Sequence, residues 1–145
     1  MKKKWEKFKE LTAAQLVPAR NASWPGLTAV TPVEPMARAA LLMVVHGLAV
    51  LPVLDGMMPI GTVDESRVLR CLASGSVGLD RPIGEYMGPA PRIFPPATKA
   101  RELLAFLGSG DSAVAVADSR GLLGLVTASG LLRRYAGAEA EEFSI

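Results

Sequence analysis

Apolar side chains recur along the chain in two different rhythms, which predict alternating helices and strands. A stripe of apolar residues recurs at three- and four-residue spacing, as in a helix that buries one face. Its members are Met36, Ala39, Ala40, Met43 and Val44. Continuous apolar runs at 49–54 and 59–63 flank the turn Asp55-Gly56. Two short apolar runs around such a turn are typical of a strand pair. The order predicted so far is therefore helix, strand, strand.

The ends of the predicted helices carry their own signals. Thr31 as N-cap, Pro32 in the first turn and Glu34 three residues after the cap form a capping-box pattern, which predicts that the helix begins at Thr31-Pro32. His46-Gly47 ends it, because glycine tolerates the left-handed conformation at a helix C-terminus. Asp64-Glu65-Ser66 predicts the start of a second helix.

The whole pattern occurs twice. Residues 30–73 align with residues 93–136 at a constant offset of 63 without a gap, and 13 of the 44 pairs are identical. The second copy repeats the order with an extended piece at 91–94, a helix at about 98–107, strands at 112–117 and 122–126, and a helix opened by Thr127. A repeat of this period indicates that each copy has an apolar face that its neighbour covers. Each copy, with the short extended piece at its start, is predicted to be a β-α-β-β-α unit.

The repeat divides the chain into four parts. Residues 12–73 are predicted to form the first unit and residues 82–136 the second, each opened by a short helical segment. Residues 1–11 form a basic N-terminal segment, and residues 137–145 form an acidic tail that we expect to be frayed. The predicted fold class is mixed α+β, with the two units packed as a pseudo-twofold pair.

Composition argues against several classes of function. A net charge of +2 is too small to indicate nucleic-acid binding. The single Cys71 and the single His46 exclude an internal disulfide, a multi-cysteine zinc site and a histidine cluster. A lone thiol suits the reducing cytoplasm. The longest charge-free stretch, 39–54, falls short of the roughly 20 residues that span a bilayer, and no base is paired with a nucleophile, so we expect no catalysis, metal or cofactor.

Five segments carry a family resemblance. Two lie in the first copy, Gly-Leu-Ala-Val-Leu-Pro-Val-Leu-Asp and Gly-Thr-Val-Asp-Glu-Ser, and Pro-Ile-Gly-Glu-Tyr-Met-Gly-Pro-Ala-Pro follows that copy. The other two, residues 112–118 and Gly-Leu-Val-Thr-Ala-Ser-Gly-Leu-Leu, lie in the second copy. Over residues 12–136 the chain resembles the CBS-domain family. In finer detail it resembles the C-terminal regulatory pair of bacterial cystathionine β-synthase-like enzymes.

This resemblance implies a fold and a class of ligand. Two CBS units would pack through their sheets into a Bateman module with two clefts between them, and modules would pair into a homodimer. Such clefts typically hold AMP, ADP, ATP or S-adenosylmethionine. The resemblance also implies that backbone groups at Ile93, Phe94, Ser112 and Ala113 would line the adenine end of the second cleft.

The helix starts of the two copies differ in charge. Thr127 opens a helix N-terminus, where free N–H groups and the dipole favour an anion, and neither it nor Ser129 carries a charge. Asp64 and Glu65 place two carboxylates at the corresponding start in the first copy, and they repel phosphate by about 1 kcal/mol or more. Arg67 offsets this only in part. We therefore expect phosphate in the second cleft, and in the first only an uncharged or cationic adenosine compound such as S-adenosylmethionine, with Asp64 accepting from its ribose.

Both helix starts depart from the family pattern, in which an Asp three residues after the Thr or Ser accepts from the ribose hydroxyls. Arg67 stands at that position in the first copy and Gly130 in the second. Thr127, Ser129 and Asp64 are also ordinary helix-capping residues. A ligand-free module that dimerises or docks a partner is therefore the alternative to an adenosine sensor.

The remaining candidates have simple structural interpretations. The lysine-rich N-terminal segment is predicted to be a helix that packs Trp5, Phe8 and Leu11 on a partner, for instance a regulated enzyme, rather than on a membrane or nucleic acid. His46 is expected to interact with the dipole at its helix C-terminus. Cys71 is expected to be a small core residue.

Overall fold

The computed structural model describes residues 2–17, 27–75 and 78–143 of the chain. In chain order the elements are α1 (Lys2–Lys9), α2 (Ala13–Leu16), α3 (Met36–His46), β1 (Val50–Asp55), β2 (Met58–Asp64), α4 (Glu65–Ala73), a 3₁₀ helix (Ile83–Glu85), β3 (Ile93–Phe94), α5 (Ala100–Gly108), β4 (Ala113–Asp118), β5 (Gly121–Thr127) and α6 (Ala128–Phe143). Strand β2 maps onto β5, and β1 onto β4, at the offset of 63 with identical bounds. The predicted repeat is thus present in the fold, and the mixed α+β class with two copies is confirmed.

The chain divides into two compact units. The first-copy unit comprises Pro25–Pro91 and Arg120–Leu122, and the second-copy unit comprises Met1–Trp24, Arg92–Ser119 and Leu123–Ile145. The segment that precedes the first repeat copy is therefore part of the unit built from the second copy. Residues 18–26 of the first predicted unit lie outside the described residues.

The first-copy unit contains the predicted strand pair. Strands β1 and β2 are antiparallel, with Val50 opposite Asp64 and Asp55 opposite Met58. Gly56 in the connecting turn has a φ of 62°, the left-handed conformation that glycine adopts without a steric penalty. Val30 makes a parallel bridge to Val53, so the predicted first strand of this copy is reduced to a single pairing among the described residues.

The predicted start of α3 is wrong by several residues. The helix begins at Met36 after the N-cap Pro35, whereas Thr31 and Glu34 form a separate turn in which the Thr31 amide donates to Glu34 Oε2 at 2.7 Å. Proline disfavours the helical conformation in the residue before it, so Pro35 keeps Glu34 out of the helix. The C-terminal prediction is confirmed, since Gly47 has a φ of 63° and its amide donates to the Met43 carbonyl.

The core of the first-copy unit lies between α3, α4 and the strands. Met36, Ala39 and Met43 are buried, which confirms most of the predicted stripe, but Val44 is 81% exposed. Val44 therefore lies outside the buried stripe of α3. Cys71 is fully buried in this core, as predicted.

The second-copy unit is built on a three-stranded sheet in the order β3-β4-β5. Strand β3 pairs with β4 in parallel, with Ile93 opposite Ala115. Strand β4 runs directly into β5 through a two-residue turn, so these two strands are antiparallel. Helices α5 and α6 contribute Leu103, Leu107 and Leu131 to its core.

The N-terminal segment packs on its own chain, which corrects the prediction that it packs on a partner. Phe8 is 7% exposed, and its ring lies edge-on to Tyr135 of α6 at a centroid distance of 5.1 Å. The Ala100 amide donates to the Leu11 carbonyl at 2.7 Å. Only Trp5, at 41%, remains exposed among the three predicted contacts. The burial of an aromatic side chain against the last helix makes α1 part of this unit.

The last helix extends into the acidic C-terminal segment. Helix α6 continues to Phe143, so the predicted boundary at residue 136 falls inside a helix, and residues 144–145 lie outside the described residues. Alanines and glutamates at 138–142 are good helix formers, which explains the extension. Within the described residues, none of the helices has both the length and the apolar character needed to cross a membrane.

Candidate functional site

The strand-to-helix junctions named in the sequence analysis occupy equivalent places in the two copies. In the first-copy unit β2 ends at Asp64 and α4 follows without a loop. In the second-copy unit β5 ends at Thr127 and α6 follows in the same way. Each junction therefore presents the free N–H groups of a helix N-terminus at one edge of its sheet.

The first-copy junction is capped by a carboxylate. Asp64 Oδ1 accepts from the Arg67 amide at 3.0 Å and from Ser66 Oγ at 2.9 Å. This confirms that Asp64 is the N-cap of α4. Asp64 is half-buried, and Glu65 beside it is exposed, so two negative charges lie at this helix start and oppose the binding of an anion.

The Arg67 side chain is held inside its own unit. Its Nη1 donates to the Tyr86 carbonyl at 3.2 Å. A Cβ atom added to Gly88 would lie 2.8 Å from Arg67 Nε and 2.9 Å from Cζ, so the guanidinium packs directly on the Gly88 backbone. The position that carries the ribose-binding Asp in the family pattern is therefore occupied here by a cation bound to the chain's own backbone.

Gly88 also joins β2. Its amide donates to the Thr62 carbonyl at 2.8 Å, and the Thr62 amide donates back to the Gly88 carbonyl at 3.4 Å. Sequence reasoning missed this attachment. Gly88 followed by Pro89 marks a turn without indicating what approaches the glycine.

The second-copy junction is capped by a hydroxyl. Thr127 Oγ1 accepts from the Gly130 amide at 2.9 Å and lies 3.3 Å from Ser129 Oγ. A Cβ atom added to Gly130 would lie 2.9 Å from Thr127 Oγ1. The N-cap role of Thr127 is thus confirmed. Because Gly130 has no side chain, the hydroxyls of Thr127 and Ser129 have no carboxylate beside them from that position. The first-copy junction, in contrast, is capped by the carboxylate of Asp64.

The structure brings the other second-copy candidates to the same edge of the sheet. The Ala128 amide donates to the Ser112 carbonyl at 3.4 Å, so the start of β4 adjoins the start of α6. On the other side of β4, Ile93 pairs with Ala115, two residues after Ala113. Ser112 and Ile93 are exposed, and Ala113 is buried. This edge of the sheet thus carries the exposed Ile93 side chain, the Ser112 backbone beside the start of α6, and Thr127 at the end of β5.

Phe94 and Arg134 have partners within this unit. Phe94 packs edge-on against Phe106 at a centroid distance of 4.8 Å. Arg134 Nη1 donates to the Gln15 carbonyl at 3.1 Å. Arg134 is therefore tied to the N-terminal segment, and the neutral charge at Thr127 and Ser129 is what distinguishes the second-copy junction from the first.

Comparison with known proteins identifies the family. The model of the CBS domain matches residues 19–74 and 83–137. The chain belongs to the CBS-domain family. No curated protein matches it in sequence.

Solved structures show the same CBS fold. A signal-transduction protein with CBS domains from Burkholderia ambifaria MC40-6, described as putative, is 25% identical with a TM-score of 0.71, covering 85% of this chain and 92% of that one. The acetoin utilization protein AcuB of Vibrio cholerae, also described as putative, is 17% identical with a TM-score of 0.75, covering 93% and 98%. CBSX2, solved in complex with AMP, is 19% identical with a TM-score of 0.71, covering 88% and 97%.

Two cavities of this CBS chain lie beside α1, and sequence reasoning missed both. One, of about 410 Å³, has a basic lining with Lys3, Lys7 and Arg134 among its residues. The other, of about 400 Å³, is apolar and lies where α1 meets α5 and α6. They were not predicted because the sequence does not indicate that α1 packs on these helices.

Proposed function

We propose that this CBS pair is a non-catalytic regulatory module that senses an adenosine compound, with AMP, ADP or ATP bound at the second-copy junction. The observation that carries the proposal is the uncharged helix start at Thr127, which adjoins Ser112 and lies at the same sheet edge as Ile93. A helix N-terminus with no carboxylate favours phosphate, and the exposed Ile93 side chain offers an apolar contact for a purine. CBSX2, a structural neighbour, was solved with AMP.

The first-copy junction is proposed to be closed to phosphate. Asp64 and Glu65 oppose it by charge, and Arg67 is committed to the Tyr86 carbonyl. S-adenosylmethionine, which carries no phosphate, is the adenosine compound that fits these charges, with Asp64 as acceptor for a ribose hydroxyl.

Ligand binding would act through linkage. A ligand that binds one packing of the module better than another stabilises that packing by RT ln(1 + [L]/Kd), about 2.7 kcal/mol at a hundredfold excess over Kd. We propose that the module is a homodimer in the cytoplasm and that its packing is read by a regulated enzyme, as in the cystathionine β-synthase-like regulatory pairs that the sequence resembles.

A second function has specific support. Neither junction has the ribose-binding carboxylate of the family pattern, since Gly130 and Arg67 stand at those positions, and Arg67 is bound to its own backbone. These observations favour a module that binds no nucleotide and acts only by dimerisation or partner docking. Such a module would be a dimer that binds none of the adenosine compounds.

Isothermal calorimetry and thermal shift with AMP, ADP, ATP, S-adenosylmethionine and adenosine test the sensing proposal. We expect binding heat and a raised melting temperature with at least one nucleotide. If millimolar ligand produces neither binding heat nor a raised melting temperature, the sensing proposal is wrong, and the dimerisation function replaces it.

The Thr127→Val variant then tests the location of the site. It removes the hydroxyl at α6 and should weaken phosphate-bearing ligands about tenfold while leaving adenosine nearly unchanged, with Thr127→Ser as the control that keeps the hydroxyl. The lost cap itself costs about 1 kcal/mol of stability, so affinities are compared well below the melting temperature. Equal weakening of AMP and adenosine would contradict phosphate binding at Thr127.

A further inference from the structure

A second candidate ligand site lies where α1 packs on α6. The cavity of about 410 Å³ beside these helices is lined by four cations and by aromatic rings. These residues are Lys3, Lys4, Lys7, Arg134, Phe8 and Tyr135. A volume of this size is within the range of pockets that hold small molecules. Its described lining includes neither Thr127 nor Ser129, so this cavity is not the site of the proposed function.

The charges around this cavity have one sign. Two carboxylates lie on or next to α1, and both pair with cations that do not line the cavity. Glu6 Oε2 lies 2.8 Å from Lys9 Nζ, and Glu10 Oε1 lies 3.0 Å from Arg101 Nη1. Among the described residues that line the cavity, none is a carboxylate. A cleft lined by charges of one sign concentrates ligands of the opposite sign, so the ligand that fits this cavity is an anion.

The lysines are placed against the electrostatic preferences of a helix. Lys7 lies four residues after Lys3 and three after Lys4, so like charges are neighbours on one helical face. Lys3 and Lys4 also lie near the start of α1, where the helix dipole is positive, and the first turn carries no acidic residue. Both arrangements destabilise the helix, and an anion bound among the lysines would offset both. Departures of this kind from local preference are expected at functional sites.

We propose that this cavity binds a small organic phosphate, with the phosphate group among Lys3, Lys7 and Arg134. The organic part contacts Phe8 and Leu11, which also line the cavity. A phosphate group carries close to two negative charges and three acceptor oxygens. These oxygens point in different directions and can accept from cations of two helices, whereas the two oxygens of a carboxylate lie in one plane. Arg134 Nη1 is bound to a backbone carbonyl, which holds the guanidinium at the cavity.

A membrane surface is the other anionic partner of a lysine-rich helix with aromatic side chains. The packing of α1 favours a small molecule instead. Phe8 is 7% exposed, and its ring lies edge-on to Tyr135 at a centroid distance of 5.1 Å. The ring at the centre of the apolar side of α1 is therefore already buried in protein, while the cations open onto a concave surface.

Isothermal calorimetry of the full chain with phenyl phosphate tests the site. All proteins carry Thr127→Val, so that the second-copy junction contributes little to phosphate binding. The chain offers matched double variants that each remove two positive charges. Lys3→Gln/Lys7→Gln changes the cavity and should weaken phenyl phosphate about tenfold or more in low salt. Lys9→Gln/Arg133→Gln changes the same two helices outside the described lining and should leave the affinity within about twofold.

Two further ligands test the chemical class. Phthalate carries the same two charges and the same ring, but on carboxylates, and should bind more weakly than phenyl phosphate. Inorganic phosphate lacks the ring and should also bind more weakly, because it makes no contact with Phe8 and Leu11. Phthalate binding as tightly as phenyl phosphate would overturn the assignment to phosphate, and inorganic phosphate binding as tightly would overturn the apolar contact.

The remaining outcomes decide the location of the site. A loss of affinity confined to Lys3→Gln/Lys7→Gln supports the inference. Equal losses in both double variants, or no binding of phenyl phosphate, overturn it. Binding of phosphatidylglycerol vesicles without binding of phenyl phosphate would assign the lysines to a membrane surface instead. Circular dichroism confirms that each variant folds, and if Lys3→Gln/Lys7→Gln does not, Lys7→Gln replaces it with Lys9→Gln as control. Adenosine compounds take no part, so failure here is distinct from failure of the proposed function.

Discussion

Replacing Gly88 by alanine tests whether Arg67 holds the segment after the 3₁₀ helix onto the first-copy unit. Gly88 is buried, and the three atoms nearest to an added Cβ all belong to Arg67, at 2.8, 2.9 and 3.0 Å. Atoms do not approach a Cβ this closely, so the guanidinium must move. The movement separates Arg67 Nη1 from the Tyr86 carbonyl, which it now reaches at 3.2 Å.

The magnitude follows from that single hydrogen bond. A hydrogen bond from a charged donor contributes about 1.5–3 kcal/mol to stability, and Arg67 is only half-buried, which places the expected loss near the lower end. We expect Gly88→Ala to lower the free energy of unfolding by about 1.5 kcal/mol. For a chain of 145 residues this corresponds to a fall in melting temperature of about 3–6 °C.

A double-mutant cycle separates this mechanism from a general cost of adding a methyl group. The free energy of unfolding is measured by urea denaturation for wild type, Gly88→Ala, Arg67→Ala and the double variant. Because the added methyl group acts by displacing Arg67, it should cost little once Arg67 is truncated, and the coupling energy should be about 1–2 kcal/mol. Equal losses from Gly88→Ala in both backgrounds would refute the reasoning.

Two further predictions concern stability. Gly137 lies inside α6 with nothing within 4 Å of an added Cβ, so Gly137→Ala should raise the free energy of unfolding by about 0.5–1 kcal/mol, and a loss in urea denaturation would contradict an open helical site. Phe8→Ala should lower the free energy of unfolding by about 3 kcal/mol, as expected for a buried aromatic side chain, and Trp5→Ala by much less. Similar small losses for both would show that α1 is not part of the core.

The elements that could be predicted are those whose signals lie within a few neighbouring residues. The strands around Asp55-Gly56 are such a case, since apolar runs on both sides of a turn specify a hairpin locally. The caps Asp64 and Thr127 are another, because an N-cap bonds to an amide three residues away. The repeat then carried each assignment to the second copy, where the strand bounds agree with those of the first.

The features that could not be predicted depend on contacts distant in sequence. Packing of Phe8 against Tyr135 joins residues at opposite ends of the chain, and an amphipathic helix alone does not indicate which surface it covers. The hydrogen bond from Arg67 to Tyr86 spans 19 residues, and nothing at either position marks the pairing. The error at the start of α3 has another cause. The effect of Pro35 on Glu34 is local and could have been predicted, but the prediction gave more weight to the capping-box pattern.

The two copies have diverged at their helix starts, and this divergence underlies the proposed function. In the first-copy unit the helix start carries Asp64 and Glu65, and Arg67 is bound to the chain's own backbone, while Val44 and its neighbours remain exposed. In the second-copy unit the helix start is neutral, and Phe8 of α1 packs beside Tyr135 of α6, while Leu132 remains 70% exposed. The clear difference between the copies is therefore the charge at the helix start, and we expect the binding of a nucleotide's phosphate to depend on the second-copy junction and not on the first.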